Sequence, residues 1–314
     1  MKNHSQIFFN VFLAGLCFAA ETGLAQCWTN LGNGMNAEVY ALAFDTNDNL
    51  YVGGAFTNAG GVAANRIAKW NGYSWTNLGS GMNDSVRALE FDTNGNLYAG
   101  GWFTNAGGVA ANYIAQWDGH SWTNLASGVS TDVEALATGI NGELYVGGAF
   151  VYVGKITANY IAKWDGHSWT NLGNGMNAQV YAMTSDTNGN LYAGGGFTYA
   201  GNVWANNIAK WDGMDWSILG EGIKPWYGND HVNSLALGTN GELYVGGLFA
   251  MVGNGIPASY IAKWNGTSWS NLGAGLNDSP NAIVYDTDCN LYAGGYFTFA
   301  GNVAVPYIAR WNGT

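Results

Sequence analysis

The sequence predicts an all-β protein made of six four-stranded antiparallel sheets, on three observations. Trp28, Trp75, Trp122, Trp169, Trp216 and Trp269 each open a stretch like Trp-Thr-Asn-Leu-Gly, with four successive spacings of 47 residues and a fifth of 53. Self-similarity at this period marks a repeat architecture. Within each repeat, short apolar runs alternate with Asn-Gly, Asp-Gly and Gly-rich punctuation, the pattern of strands joined by hairpins. Gly makes up 48 of 314 residues and charged residues only 10%, against a usual charged fraction of about 25%. This suits turn-rich β structure and excludes a disordered chain.

The elements follow in order. Lys2 and His4 precede an apolar run through Ala20 and then Gly23-Leu24-Ala25, so residues 1–25 read as a secretory signal peptide. The run is short for a membrane span. Residues 26–314 then form one domain outside the cytoplasm, without membrane insertion, and are read as a monomer. In the first repeat Val39–Phe44 is a strand, Asp45–Asn49 a turn, and Leu50-Tyr51-Val52 a second strand ending at Gly53-Gly54. A Gly-rich loop leads to a third strand, Ile67–Trp70, and Asn71-Gly72 turns the chain into a fourth at Ser74–Leu78. Four strands per repeat of this length predict the blade of a β-propeller. Apolar runs without strict alternation fit blades buried on both faces. A buried Trp removes about 150–250 Å² from water, an upper bound of about 4–6 kcal/mol each. The repeated Trp residues are therefore read as scaffold.

The two ends are complementary. The chain stops at Ile308–Thr314, just past a third strand, and Cys27–Leu31 reads as a fourth strand. Residues 28–31 are expected to complete the last blade and close a ring of six, removing an open sheet edge. Cys27 and Cys289 both map to that blade and form a possible disulfide, permitted in a secreted protein.

The strand ending Leu97-Tyr98-Ala99-Gly100-Gly101, the following Ile114–Gly119 (Ile-Ala-Gln-Trp-Asp-Gly) and the Trp of the last strand resemble kelch-type propeller repeats. They are more similar to the secreted Ala-Asn-x-Ile-Ala-x-Trp repeats of bacterial surface proteins and of fungal cortical polarity-marker ectodomains. The resemblance spans residues 28–314 and implies the fold. It implies no activity, because propellers host unrelated functions. A copper oxidase also carries a kelch-like domain, but no His or Tyr set here stands out as copper ligands.

Chemistry-bearing patterns are few. Asp45/Asn47/Asn49, Asp92/Asn94/Asn96, Asp186/Asn188/Asn190 and Asp286/Asp288/Asn290 imitate the start of a calcium loop. They lack its closing acidic residue, so they are read as Asx turns. Gly139–Gly142 and Gly238–Gly241 fill the same turn without Asp. His120 and His167 fall in solvated hairpins. No metal cluster, nucleophile elbow or phosphate loop is recognisable, so no cofactor, metal or catalytic residue is assigned. A net charge of −11 disfavours nucleic acid as a partner.

Function is expected where the copies differ. The position opening the channel-lining first strand reads Glu38, Ser85, Asp132, Gln179, His231, Ser279, and two residues on it reads Tyr40, Arg87, Glu134, Tyr181, Asn233, Asn281. This polar ring is a candidate ligand site, or else a solvated rim with an Arg87–Glu134 pair between blades. The other irregularity is the insertion at 223–230, with Trp226, Tyr227 and Asp230. Trp204 lies on the same face, so Trp204, Trp226 and Tyr227 are expected to share an aromatic patch. The leading expectation is a secreted, non-enzymatic binding module with a protein or glycan partner on the loop face. The alternatives are a glycan-binding lectin using the patch, and a carbohydrate-active enzyme around Glu134, Asp132 and His231.

Overall fold

The computed structural model describes residues 30–224, 228–286, 288–311 and 313. The proposed signal peptide (1–25), Cys27, Trp28 and the insertion residues Trp226 and Tyr227 lie outside them. Among the described residues there are strands and no helices, and no helix is long and apolar enough to cross a membrane.

Each repeat folds as the punctuation dictates. In the first, Val39–Phe44, Leu50–Gly54, Ile67–Trp70 and Trp75–Asn77 form a four-stranded meander in chain order. The next four repeats build equivalent four-stranded sheets, and the sixth shows three strands, Pro280–Tyr285, Leu291–Gly295 and Ile308–Trp311. Between second and third strands sits a small hairpin, Asn58–Ala59 with Val62–Ala63 in the first repeat. The first strands of successive sheets, from Val39–Phe44 to Pro280–Tyr285, pack side by side and line a common channel.

Why the sheets sit so close is written in the Gly-Gly pairs. A Cβ on Gly53, Gly100, Gly147 or Gly194 would fall 2.3–2.6 Å from a methyl of Val86, Val133, Val180 or Val232 in the next sheet. The absent side chain is thus the space that the next valine fills. Two residues beyond each pair stands a Phe: Phe56, Phe103, Phe150, Phe197 and Phe297 are fully buried and Phe249 is 2% exposed. Burying one such ring fully is worth about 3 kcal/mol.

A second tie links sheet to sheet. The indole Nε1 of Trp122 donates to the Leu78 carbonyl at 3.0 Å, and Trp169, Trp216 and Trp269 do the same to Leu125, Leu172 and Leu219. Each Leu is the residue that follows the preceding repeat's fourth strand, so the tail of one repeat is clamped by the Trp of the next.

The turns between first and second strands are Asx turns, as expected. Asp45 Oδ1 accepts the Asn47 and Asn49 backbone N–H groups, and Asp92 and Asp186 repeat the pattern. The two Gly-led turns are a variation the Asn-Gly reading missed. There a Glu enters from the opposite end, Glu143 accepting from Asn141 N and Glu242 from Asn240 Nδ2. A side chain on Gly139 would collide with the Glu143 carboxyl carbon at 2.4 Å. The carboxylate is kept and its source is swapped. The strand-two tyrosines donate to it, and burial with that neighbouring charge pushes the Tyr98 and Tyr192 phenols up to about 12.

The sixth and first sheets, at the two ends of the series, differ from the five neighbouring pairs. Their first strands do not share the packing of the other neighbouring pairs. Val39, counterpart of four fully buried valines, is 43% exposed, and Ile308 is half-buried where Ile67, Ile114, Ile161 and Ile208 are fully buried. Leu50, Val52 and Phe56 on that side of the first sheet are nonetheless buried, with Leu31 and Met35 packed on them. Cys289 is exposed in the turn between the first two strands of the sixth sheet, opposite the channel mouth.

Candidate functional site at the channel mouth

The polar ring is built by a repeated irregularity. In all six sheets the pairing of first and second strands slips by one residue, between Val39 and Ala41, Val86 and Ala88, Val133 and Ala135, Val180 and Ala182, Val232 and Ser234, and Pro280 and Ala282. The residue left over is Tyr40, Arg87, Glu134, Tyr181, Asn233 or Asn281. A bulge takes its extra residue out of the ladder and re-aims the side chain. The second Gly of each Gly-Gly pair makes room for it. A Cβ on Gly54, Gly101, Gly148 or Gly195 would stand 2.1 Å from the carbonyl oxygen of Glu38, Ser85, Asp132 or Gln179. One dipeptide thus serves both the packing of neighbouring sheets and the bulge that presents the ring.

The ring opens onto a cavity of about 560 Å³ whose lining comes from the second to the sixth sheet, within the usual size of small-molecule sites. On its second- and third-sheet side, the Arg87 guanidinium carbon lies 4.0 Å from the ring centres of both Tyr40 and Trp102. Trp102 Nε1 donates to Glu134 Oε1 at 3.0 Å. The expected Arg87–Glu134 ion pair is therefore not formed, because the Trp102 indole stands between the two charges. Among the described residues the ion pairs are Lys69–Asp45 and Lys263–Glu242. Burial lifts the Glu134 carboxyl above its ordinary range, and the Trp102 N–H and the Arg87 charge oppose this.

On the neighbouring wall, the Tyr181 hydroxyl donates to Gln179 Oε1 at 2.6 Å, and its ring meets His231 edge-on at 5.7 Å. Burial, with the charge of Glu134, raises the Tyr181 phenol. His231 Nδ1 lies 2.8 Å from the Asn229 carbonyl. A carbonyl only accepts, so Nδ1 carries a proton and donates it, which leaves Nε2 facing outward without a partner among the described residues. Asn233 Nδ2 donates to Ser279 Oγ at 3.0 Å, and Asp278 accepts from Ser279 N.

Of the residues singled out from the sequence, Arg87, Glu134, Tyr181 and His231 line the cavity together with Asn233, Ser279 and Asn281 of the ring, and Tyr40 supports Arg87 from beside it. Glu38 and Asp132 do not line it, although the Asp132 charge helps to raise the Glu134 carboxyl. Asp230 is buried, its backbone carbonyl accepting from Asn207 Nδ2 at 2.9 Å. The expected Trp204–Trp226–Tyr227 patch cannot be assembled from the described residues. Of its three members Trp204 is described, 55% exposed and packed edge-on against Tyr199 at 4.9 Å.

Trp102, Leu248 and Tyr296 were missed as site residues, as was Asp278. Their signal was present: the motif is Gly-Gly-x-Phe in all six repeats, and x reads Ala55, Trp102, Ala149, Gly196, Leu248 and Tyr296. Only this position varies within the motif, and it flanks the bulge. Among the described residues no group of His, Cys, Asp and Glu is arranged to hold a metal.

These sheets ranged round a channel make the chain a β-propeller. A family model described as the Rax2 C-terminal beta propeller domain matches residues 24–174, just under half of the chain. No curated protein matches the sequence. Among solved structures, the chain is similar to the extracellular domain of the putative hybrid two component system BT4673 from B. thetaiotaomicron, with a TM-score of 0.61 at 16% identity. That match covers 90% of this chain and 34% of the sensor chain, so this chain spans about a third of the sensor's length. It is also similar to the virginiamycin B lyase from Staphylococcus aureus solved with quinupristin, with a TM-score of 0.56 at 14% identity over 90% of this chain and 86% of that one. The WD40 propeller of Doa1 gives 0.54 at 14% identity over 87% and 77%. Identities this low carry the fold and nothing more.

Proposed function

We propose that this chain is a binding module that works outside the cytoplasm and seats its ligand in the channel mouth. The observation that carries the reading is where the repeats diverge. Scaffold positions recur from sheet to sheet, whereas the bulge position and the x of Gly-Gly-x-Phe change, and one cavity is lined by Arg87, Glu134, Tyr181, Asn233 and Asn281 from the first and by Leu248 and Tyr296 from the second. The extracellular sensor domains among the structural neighbours support the location, as does the apolar leader read in residues 1–25.

The domain is taken to be a closed ring of six blades over residues 26–314. Its support is Leu31, whose carbonyl accepts Trp75 Nε1 at 2.9 Å. This is the bond the other repeats make to the tail of the preceding fourth strand, and the sixth sheet is the one that shows three strands. Deleting residues 26–32 is expected to lower the melting temperature by many degrees. An unchanged melt refutes closure by this segment.

Ligand detection by NMR, following the Trp102 indole N–H assigned through Trp102→Phe, tests the binding reading. A ligand that perturbs this signal, and whose affinity drops at least tenfold in Asn281→Ala or Tyr296→Ala, supports it. A ligand bound tightly with neither effect moves the site elsewhere. The exposed Tyr199–Trp204 pair favours one second reading, a lectin-like surface on the rim. In that case Trp204→Ala abolishes glycan binding and the mouth variants leave it intact.

A further inference from the structure

The geometry points to Arg87 as the anchor for a carboxylate, and to a carboxylate-bearing sugar as the ligand class of the channel mouth. This rests on the mouth being the binding site.

The inference begins with what Arg87 lacks. Among the described residues its guanidinium makes no ion pair and no hydrogen bond, and Nε is buried without a partner. This occurs in a chain with 21 acidic and 10 basic residues, where carboxylate partners are plentiful. The side chain is nevertheless held in place, with Tyr40 and Trp102 each 4.0 Å from its guanidinium carbon. Stacking of this kind fixes a guanidinium through its faces. Its N–H groups point outward in its own plane, so stacking leaves them unspent. A planar fork of donors held in one orientation matches the two oxygens of a carboxylate. Trp102 also ties up one oxygen of Glu134, a carboxylate close enough to feel the Arg87 charge.

The remaining wall limits what that carboxylate is attached to. Glu134 and Asp278 also border the cavity, so a ligand with several negative charges meets repulsion beyond its first anionic group. Between them the lining is uncharged and mostly polar, with Leu248 as its apolar member. The Asn281 side chain makes no hydrogen bond among the described residues, Asn233 has its carbonyl oxygen open, and His231 Nε2 is open. Such groups answer hydroxyls with paired donors and acceptors. Tyr296, 67% exposed at the cavity edge, adds a flat apolar face of the kind on which a pyranose stacks. One carboxylate, several hydroxyls and an apolar ring face together describe a uronic acid. A cavity of about 560 Å³ accommodates two such rings.

The test uses the full chain and titrates disaccharides containing glucuronate, galacturonate or mannuronate, with their methyl esters, neutral parent disaccharides and dipeptides as comparators. The Trp102 indole N–H reports occupancy of the mouth. At least one uronate disaccharide is expected to shift it and to bind at least tenfold more tightly than its own methyl ester. Arg87→Gln is expected to erase that difference, and Arg87→Lys, which keeps the charge but not the fork, to restore only part of it. The ester comparison needs no variant, so a misfolded Arg87→Gln protein does not shield the inference. Equal binding of acid and ester overturns it, as does dipeptide binding without uronate binding; in both cases the mouth stands as the site. No shift of Trp102 with any member of the panel removes the uronate assignment. If the same ligands bind without moving Trp102, the mouth reading falls as well.

Discussion

Two adjacent glycines in the fourth sheet should respond in opposite ways to the same substitution. A Cβ on Gly195 would sit 2.1 Å from the Gln179 carbonyl oxygen and 3.0 Å from both its carbon and Val180 Cα, where ordinary contact starts at 3.4 Å. All are backbone atoms, so no side chain can swing aside. Relief requires opening the bulge that presents Tyr181, which strains two backbone bonds, Gly195 N to Asn207 O and Gly196 N to Gln179 O, both 3.0 Å. Overpacking costs about 1–3 kcal/mol, and each weakened bond about 1 kcal/mol more. Gly195→Ala should therefore lose about 2–5 kcal/mol. On Gly196 the new Cβ would meet only the Tyr181 side chain, Cε2 at 3.7 Å and the hydroxyl at 3.9 Å, and Ala55 and Ala149 already hold this position in other sheets. Gly196→Ala should be neutral or gain about 0.4–1 kcal/mol through a less flexible unfolded chain. Urea unfolding followed by tryptophan fluorescence gives both numbers under one set of conditions. If Gly195→Ala lies within about 0.5 kcal/mol of the parent, the steric account of the Gly-Gly pair is wrong.

Other outcomes are open to measurement. Glu90 is fully buried between the second and third sheets, accepting Thr138 N and Oγ1, each at 2.9 Å, and burial drives its carboxyl well above the ordinary 4.5. Folding therefore takes up a proton there, and stability falls as pH rises from about 4.5 toward the raised value. Glu90→Gln should match the parent in acid and gain on it by up to about 1.4 kcal/mol per pH unit across that window; parallel melting curves from pH 4 to 8 refute this. Trp169→Phe removes the donor to the Leu125 carbonyl and should cost about 1–3 kcal/mol, mostly for the buried acceptor left unpaired. Phe150→Ala should cost about 3–5 kcal/mol, and both are read by chemical denaturation.

The strands were legible because turn chemistry is local: Asn71-Gly72 or Asp118-Gly119 announces its hairpin whatever surrounds it. The bulge position was legible too, since Tyr40, Arg87 and Glu134 interrupt an otherwise apolar strand. What escaped depended on contacts across sheets. Trp102 separates Arg87 from Glu134, and no spacing along the chain reveals that an indole from one sheet reaches a carboxylate of the next. Glu90 lies in the run Val86–Phe91, whose other charged residue is Arg87; only the third sheet's Thr138 shows why it is tolerated. Tyr199 was passed over beside Trp204 because the two lie on opposite arms of a two-residue hairpin, paired directly.

The indole clamp also decides what counts as one module. Among the described residues, each of the first five sheets is secured by a carbonyl from the segment before it, so the strand boundaries are not the boundaries of the stabilising unit. A graft that exchanges Val133–Asn171 alone imports Trp169 but leaves its acceptor to the host at Leu125. Because hosts built from this repeat offer Leu at that place, whole sheets are exchangeable without redesign of the junction. Loss of one tail, in contrast, unfastens the sheet that follows it and not the sheet it ends.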